Sequence, residues 1–205
     1  MSGAAKRLVV AVTGASGAIY GRRLVEAALA AGVDVDLVAS PTAQRVARDE
    51  LDSDWSAAEL RRWLGEKTGR VRLHPPDDVG ATIASGSHPV HGMVVAPCSM
   101  GSAARIAAGL SETLIERAAD VQLKERRPLV LVVREAPLST IHLENLLRVA
   151  RAGATVLPAA PGFYARPRTI DDLVRFVVER ALAAAGVTAP RTIEWQGERG
   201  AEASP

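Results

Sequence analysis

Short apolar runs of strand type alternate along this chain with longer segments of helical periodicity. The runs at 8–13, 92–96 and 129–133 are almost continuously apolar, which is typical of strands buried on both faces of a parallel sheet. Further strands are predicted at 33–39, 71–74 and 154–157, and helices at 18–31, 41–49, 56–63, 113–125, 139–153 and 169–185. This order predicts an α/β fold of the Rossmann-like or flavodoxin-like type, with three αβα layers and a parallel sheet.

Length and composition narrow the function classes. The 205 residues suit a single domain over 1–186, and the polar, turn-rich stretch 187–205 is predicted to be a C-terminal tail or arm. Aromatic residues make up 3%, so the core must be aliphatic. A net charge of +2 is too small to form a nucleic-acid footprint. No apolar run is long enough for a membrane span, and no signal peptide is recognisable. With Cys98 as the single cysteine, a disulfide framework is excluded and a cytoplasmic location is expected.

Ligands of open parallel sheets bind at the carboxyl ends of the strands, so the residues that follow each strand are the candidates for a site. The first such turn, 13–21, is rich in small residues and lies between a strand and a helix. Its backbone amides can approach a phosphate closely, and Ser16 adds a hydroxyl. A short-chain reductase uses a similar turn but also needs Tyr-x-x-x-Lys. Neither Tyr20 nor Tyr164 has a lysine four residues on, so hydride transfer is disfavoured.

Polar and charged residues follow other strands as well. Ser99 and Ser102 offer hydroxyls after the 92–96 strand, while Cys98 is better explained as a small buried side chain than as a nucleophile. Arg134 and Glu135 follow the 129–133 strand. They form either an ion pair that fixes the loop or a site in which the carboxylate acts as acid or base, and the sequence alone leaves both open.

Two cations and one aromatic pair complete the candidates. Arg117 and Lys124 are seven residues apart on a predicted helix and so share a face, which would suit a phosphate monoester. The pair Phe163 and Tyr164 follows the last strand, where it is expected to form a wall over a ligand or to anchor the loop. The four histidines lack ligand spacing, so no metal site is predicted.

Taken together, these motifs resemble the UbiX-type flavin prenyltransferases, a family formerly described as aromatic-acid decarboxylases. The resemblance covers about residues 7–186 and rests on the order and spacing of seven segments: 14–21, 84–87, 97–100, 115–127, 133–139, 142–145 and 161–164. It implies a homo-oligomer, usually a dodecamer, with FMN at subunit interfaces. It also implies metal-independent transfer of dimethylallyl from dimethylallyl monophosphate to N5 and C6 of reduced FMN. The product, prenylated FMN, would serve a UbiD-type decarboxylase as cofactor.

The resemblance also implies roles for individual residues. Glu135 matches the carboxylate that manages the N5 proton, and Glu50 an acidic residue near the substrate phosphate. The implied FMN contacts are Gly14, Ala15, Ser16, Ser40, Ser99, Met100, Gly101, Ser102 and Arg134, and Ser16 also faces the substrate phosphate. The implied phosphate-binding set is Arg117, Lys124, Tyr164 and Arg180, part of it donated by a neighbouring subunit.

This chain departs from the family pattern at three places. Ser102-Ala-Ala stands where members often have Thr-Leu-Ala, and Glu112-Thr-Leu where they often have Asp-Asn-Leu. An aromatic residue sometimes found near Val79 or at His88 is missing, which bears on the shape of the prenyl pocket. Two alternatives remain open: a flavoprotein like the cysteine-type decarboxylases, and a flavin carrier without catalysis.

Overall fold

A six-stranded sheet, in which every strand pairs in parallel with its neighbours, forms the centre of the fold. The structure is a computed structural model, and it describes residues 7–188. The strands are β1 (Arg7–Val12), β2 (Asp34–Ala39), β3 (Val71–His74), β4 (Gly92–Cys98), β5 (Leu129–Val133) and β6 (Thr155–Pro158). Their order is β3-β2-β1-β4-β5-β6, which is a doubly wound arrangement. The predicted three-layer α/β fold is therefore confirmed.

Seven α-helices flank the sheet in the described part of the chain. They are α1 (Ala18–Ala30), α2 (Pro41–Leu51), α3 (Ala57–Leu64), α4 (Met100–Ala107), α5 (Leu114–Lys124), α6 (Thr140–Arg151) and α7 (Ile170–Ala184). Short 3-10 helices cover Gly65–Arg70, Thr82–Ala84 and Phe163–Ala165. Six α-helices agree with the sequence prediction to within a few residues. Helix α4 was not predicted, because its eight residues follow β4 almost directly and were interpreted as a ligand-binding turn, although Met100, Ala103 and Ile106 are buried at helical spacing.

The strands separate two aliphatic cores. Alternate β-strand residues point to opposite faces of the sheet. One face packs against α1, α2, α3 and α7, and its largest fully buried side chain is Trp55. The other face packs against α4, α5 and α6. Helices α5 and α7 therefore lie on opposite sides of the sheet, which matters for the site described below.

Strand order reverses between β1 and β4, so a crevice opens at their carboxyl ends. Gly21 brings α1 close to this point: a Cβ atom there would lie 2.7 Å from the Ala96 carbonyl oxygen. The first turn of α1 is thus held directly over the end of β4.

Two sequence predictions, on membrane spans and on the C-terminal tail, can be compared with the structure. None of the helices within residues 7–188 is long and apolar enough to cross a membrane. Val187, at the start of the predicted tail, is 5% exposed and still packs in the first core. Residues 189–205 of that tail lie outside the described residues.

Candidate functional site

Three turns meet at the carboxyl edge of the sheet, one after each of β1, β2 and β4. Ser40 begins α2, and its hydroxyl accepts a hydrogen bond of 3.1 Å from the Ala43 amide. Ser99 begins α4, and its hydroxyl accepts one of 3.3 Å from the Ser102 amide. Because these helices begin at the crevice, the positive ends of their dipoles face it. The structure thereby brings together the first, second and third predicted FMN-binding segments.

Gly14 is required by close packing between the first two turns. A Cβ atom at Gly14 would lie 2.5 Å from the Thr42 Cβ atom, a separation that side chains do not tolerate. Next to it, Ala15 is buried and Ser16 is exposed. Of these three residues, Ser16 is the one that presents a polar side chain to the crevice.

The residues of the third turn, 99–102, differ in the groups that they can present to a flavin. Met100 and Ser102 are 6% and 5% exposed, and Met100 belongs to the second core. The Ser102 hydroxyl lies 3.0 Å from that of Ser99, so both hydroxyls are engaged within the turn. Gly101 is exposed. Any flavin contact made by Met100 or Gly101 would therefore use the backbone.

An anion already occupies the N-terminus of α1, and it belongs to the chain itself. The Glu50 carboxylate accepts hydrogen bonds of 2.8 Å from the Gly17 and Ala18 amides. Burial would raise the pKa of Glu50, but hydrogen bonds from Ser16 and these amides outweigh it and lower the pKa below its ordinary value. The positive charge of Arg134 acts in the same direction. The sequence predicted an anion site at this turn, but not that Glu50 would reach it.

Arg134 and Glu135 do not pair with each other in the described part of the chain. The Arg134 Nε atom donates to the Ser16 carbonyl oxygen at 3.0 Å, so this side chain supports the first turn. Glu135 is exposed, and its carboxylate accepts a hydrogen bond of 3.1 Å from the Ala136 amide. Of the two interpretations of these residues, the structure disfavours the loop-fixing ion pair. It leaves the Glu135 carboxylate at the carboxyl edge beside the crevice.

Lys124 and Arg117 lie away from these turns. Lys124 ends α5 just before β5 begins, so it lies near the amino edge of the sheet, opposite the crevice. Its ammonium group contacts Glu125 at 2.6 Å and also approaches Gly86, in the loop that leads to β4. Arg117, two turns earlier on α5, pairs with Asp120 at 2.8 Å. Both cations are partly exposed, with side-chain exposures of 36% and 46%.

Tyr164 and Arg180 form a separate group on the other side of the sheet. Tyr164 packs edge-on against Phe176 with ring centroids 5.7 Å apart, and the Arg180 guanidinium lies 5.9 Å from the same ring. Arg180 also lines a groove of about 350 Å³ between α7 and the edge strand β6. Phe163 is 72% exposed, so the predicted wall over a ligand is not formed within one chain.

Cys98 and the histidines do not form a reactive centre. Cys98 is fully buried, and burial raises the pKa of its thiol to about 12. His88 approaches Asp36, while His91 bonds the Gly186 carbonyl oxygen, so their side chains diverge. Among residues 7–188, no group of three or more His, Cys, Asp or Glu side chains could hold a metal ion.

One residue at the crevice was predicted to lie in the first turn but was given no role in the site. Thr13 follows β1, is 2% exposed and hydrogen-bonds to both Pro97 and Ser99. The sequence pattern that could have indicated its role is a threonine at the end of an apolar run, directly before a glycine.

Comparison with known proteins identifies the class first. A sequence model of the Flavoprotein family matches residues 2–182, so the chain is a member of that family of α/β flavoproteins. Within it, the chain is 46% identical over 200 residues to the flavin prenyltransferase UbiX of Synechocystis, an alignment that covers 94% of this chain and 97% of the relative. The chain belongs to the UbiX-type flavin prenyltransferases.

Solved structures agree with this assignment. The structure of AnUbiX (PadA1) in complex with FMN and dimethylallyl pyrophosphate superposes with a TM-score of 0.86 at 41% identity, covering 94% of this chain and 98% of that one. A dodecameric FMN-dependent UbiX-like decarboxylase from Escherichia coli O157:H7 superposes with a TM-score of 0.82 at 44% identity, covering 93% and 100%. The resemblance deduced from the sequence motifs is confirmed.

Proposed function

We propose that this protein transfers a dimethylallyl group from dimethylallyl monophosphate to N5 and C6 of reduced FMN. The observation that carries the proposal is the anion held at the N-terminus of α1. There a carboxylate binds two backbone amides at 2.8 Å beside Ser16 and Arg134, in a crevice fit for a phosphate-bearing ligand. The reaction itself is inferred from membership of the UbiX-type family.

The residues of the crevice fit FMN by the chemistry of their donors. FMN has a phosphate, ribityl hydroxyls and ring carbonyls, which all accept hydrogen bonds. The crevice offers hydroxyls, backbone amides at two serine-capped helix starts, and one guanidinium. The residues that would hold FMN are Gly14, Ala15, Ser16, Ser40, Ser99, Met100, Gly101, Ser102 and Arg134. When bound, FMN supplies the nucleophilic ring atoms that accept the prenyl group.

The leaving phosphate is proposed to be bound by Arg117, Lys124, Tyr164 and Arg180, with Glu50 and Ser16 beside it. Cations aimed at a developing phosphate dianion lower the barrier for its departure, and they do so without a metal ion. Because Lys124 lies near the amino edge and Arg180 lies across the sheet, one chain cannot assemble this set at its own crevice. Neighbouring subunits must therefore contribute them, which agrees with a homo-oligomer, and we propose a dodecamer.

Glu135 is proposed to move the proton of flavin N5. It is the exposed carboxylate that follows β5 directly, beside Arg134. A carboxylate placed beside the flavin can accept a proton from it once the ligand covers the site. Packing between subunits would exclude water from the same space.

The product is proposed to leave for a UbiD-type decarboxylase, which would use prenylated FMN as cofactor. A cytoplasmic location fits this role and the single buried thiol of Cys98. The second candidate, a flavin carrier without catalysis, needs the same crevice but has no need of the Glu135 carboxylate. This difference allows the two to be separated.

The test is anaerobic incubation of the protein with FMN, dithionite and either dimethylallyl monophosphate or the diphosphate, followed by mass spectrometry of the released flavin. The wild type should release flavin heavier by one prenyl unit, with the monophosphate preferred. Glu135→Gln should bind FMN normally and leave it unmodified. A wild type that only returns FMN from either donor would refute the proposal, and full turnover by Glu135→Gln would refute the proton role.

A further inference from the structure

We infer that Thr13 is a positioning residue that sets the distance between the two main flavin-binding turns. It is 2% exposed, so it touches no ligand itself. Its hydroxyl donates to the Pro97 carbonyl oxygen at 2.9 Å and accepts from the Ser99 amide at 2.8 Å. One side chain after β1 thus satisfies two backbone groups after β4.

The backbone of Thr13 strengthens the same connection. Its amide donates to the Pro97 carbonyl oxygen at 3.2 Å, so both donors of Thr13 bind one acceptor. The pairing of β1 with β4 ends at Ala11 and Val95, before either strand is complete. Thr13 therefore continues the contact between the two strands beyond their last paired residues, at the point where the sheet opens into the crevice.

These bonds are part of a closed ring of hydrogen bonds that joins the ends of β1, β4 and β5. The Arg134 amide donates to the Cys98 carbonyl oxygen at 3.3 Å, which joins the end of β5 to the end of β4. The Arg134 side chain returns to the Ser16 carbonyl oxygen at 3.0 Å, which joins it to the end of β1. Thr13 is the member of the ring that joins β1 to β4 through its side chain. Removing its hydroxyl leaves the Thr13 amide as the one bond of the ring that still joins the end of β1 to the end of β4.

The Ser99 amide consequently has a fixed structural role. Because it donates to Thr13, it is not available as a hydrogen-bond donor to FMN. The Ser99–Ser102 turn should therefore be formed before FMN binds, and its ligand contacts must come from other groups. A turn ordered in advance loses less entropy on binding, so a broken connection should appear as weaker FMN binding.

The experiment compares Thr13→Val, which keeps the shape but removes the hydroxyl, with Thr13→Ser, which retains it. Thr13→Val leaves the part-buried Ser99 amide without its partner, so FMN must order a looser turn on binding and its Kd should rise about 10-fold or more. Thr13→Ser should stay within about threefold of wild type. Thr68→Val is the matched control. It removes a hydroxyl that bonds the Gly65 carbonyl oxygen at 2.6 Å, away from the crevice, and should leave the Kd unchanged.

Two measurements distinguish positioning from general stability. First, the KM for the prenyl phosphate should stay the same in Thr13→Val at saturating FMN, because the phosphate-binding cations lie elsewhere. A folded Thr13→Val with wild-type FMN affinity and only a lower Tm would overturn the inference. Second, hydrogen exchange of the Ser99 amide should already be slow in the FMN-free wild type. Fast exchange that slows only when FMN is added would also overturn the inference. This measurement uses the wild type, so it decides the question even if Thr13→Val does not fold.

This inference rests on the proposed function only for the identity of the ligand-binding turns. FMN affinity is measured without prenyl transfer. If the wild type binds FMN but makes no prenylated flavin, the proposed function fails while the Thr13 comparison still decides the inference.

Discussion

The Glu50 carboxylate accepts two hydrogen bonds, of 3.1 and 2.8 Å, from the backbone amide of Gly17. A side chain from the last turn of α2 thus neutralises the positive end of α1 at the crevice. The helix end that would attract a ligand phosphate is thus stabilised by an anion of the chain itself.

Replacing Glu50 by Gln should make stability less dependent on pH. The folded-state pKa of Glu50 is lowered, so its contribution is present above the unfolded pKa of about 4.3 and is lost as pH falls through the folded value. Partial exposure limits the effect to about 0.3–1 kcal/mol. Urea unfolding at pH 7 should show wild type more stable than Glu50→Gln by this amount, and the difference should shrink towards zero at pH 3.

Asp172→Asn is the matched control for this prediction. Asp172 accepts hydrogen bonds of 3.0 Å from the Arg168 and Thr169 amides at the start of α7, and these and the Thr169 hydroxyl lower its pKa. The Asp172→Asn variant should also lose stability in a pH-dependent way. Its prenyl transfer should stay normal. Glu50→Gln should lose prenyl transfer as well. Equal activity of the two variants at pH 7 would contradict a role for Glu50 near the phosphate.

Removing the charge of Lys124 should impair the reaction without disturbing the fold. Its pairing with Glu125 is exposed, and such pairs contribute little stability. Lys124→Gln should lower kcat/KM for the prenyl phosphate by about 100-fold or more, because a cation at the departing phosphate is lost. FMN titration and steady-state kinetics check both parts. Lys67→Gln, at an exposed lysine outside both groups of site residues, should behave as wild type.

Cys98 should be dispensable for catalysis. Its thiol is fully buried and burial raises its pKa to about 12, so almost no thiolate exists at pH 8. Cys98→Ala should retain prenyl transfer and lose about 1 kcal/mol of unfolding free energy. Native protein should resist iodoacetamide, whereas urea-unfolded protein should be alkylated quickly. Loss of turnover in a folded Cys98→Ala would favour a cysteine-dependent reaction instead.

The fold could be predicted because its signals are local. Buried parallel strands such as β5 are continuous apolar runs, and helix starts such as Ser56 and Thr169 carry capping residues that hydrogen-bond as expected. Helix α4 was missed because it is short and starts almost directly after β4, where the same residues were interpreted as a ligand-binding turn.

The site could be predicted only where residues follow strands. Ser16, Ser40, Ser99 and Arg134 meet at the crevice because the carboxyl ends of parallel strands share one edge. The contact of Glu50 with α1 depends on how α2 crosses that edge, which has no local signal. The separation of Lys124 from Arg180 depends on which face of the sheet each helix covers, and this too is a property of the whole fold.

The central claim is that one active site combines groups from more than one copy of the chain, and complementation tests it most directly. Lys124→Ala and Arg180→Ala should each be inactive alone. When the two are co-expressed and assembled at random, about a quarter of the sites should contain both wild-type groups, because the groups come from different subunits. Recovery of about a quarter of wild-type prenyl transfer in the mixed assembly is the predicted result. No recovery, in assemblies shown by mass spectrometry to contain both variants, would contradict the account.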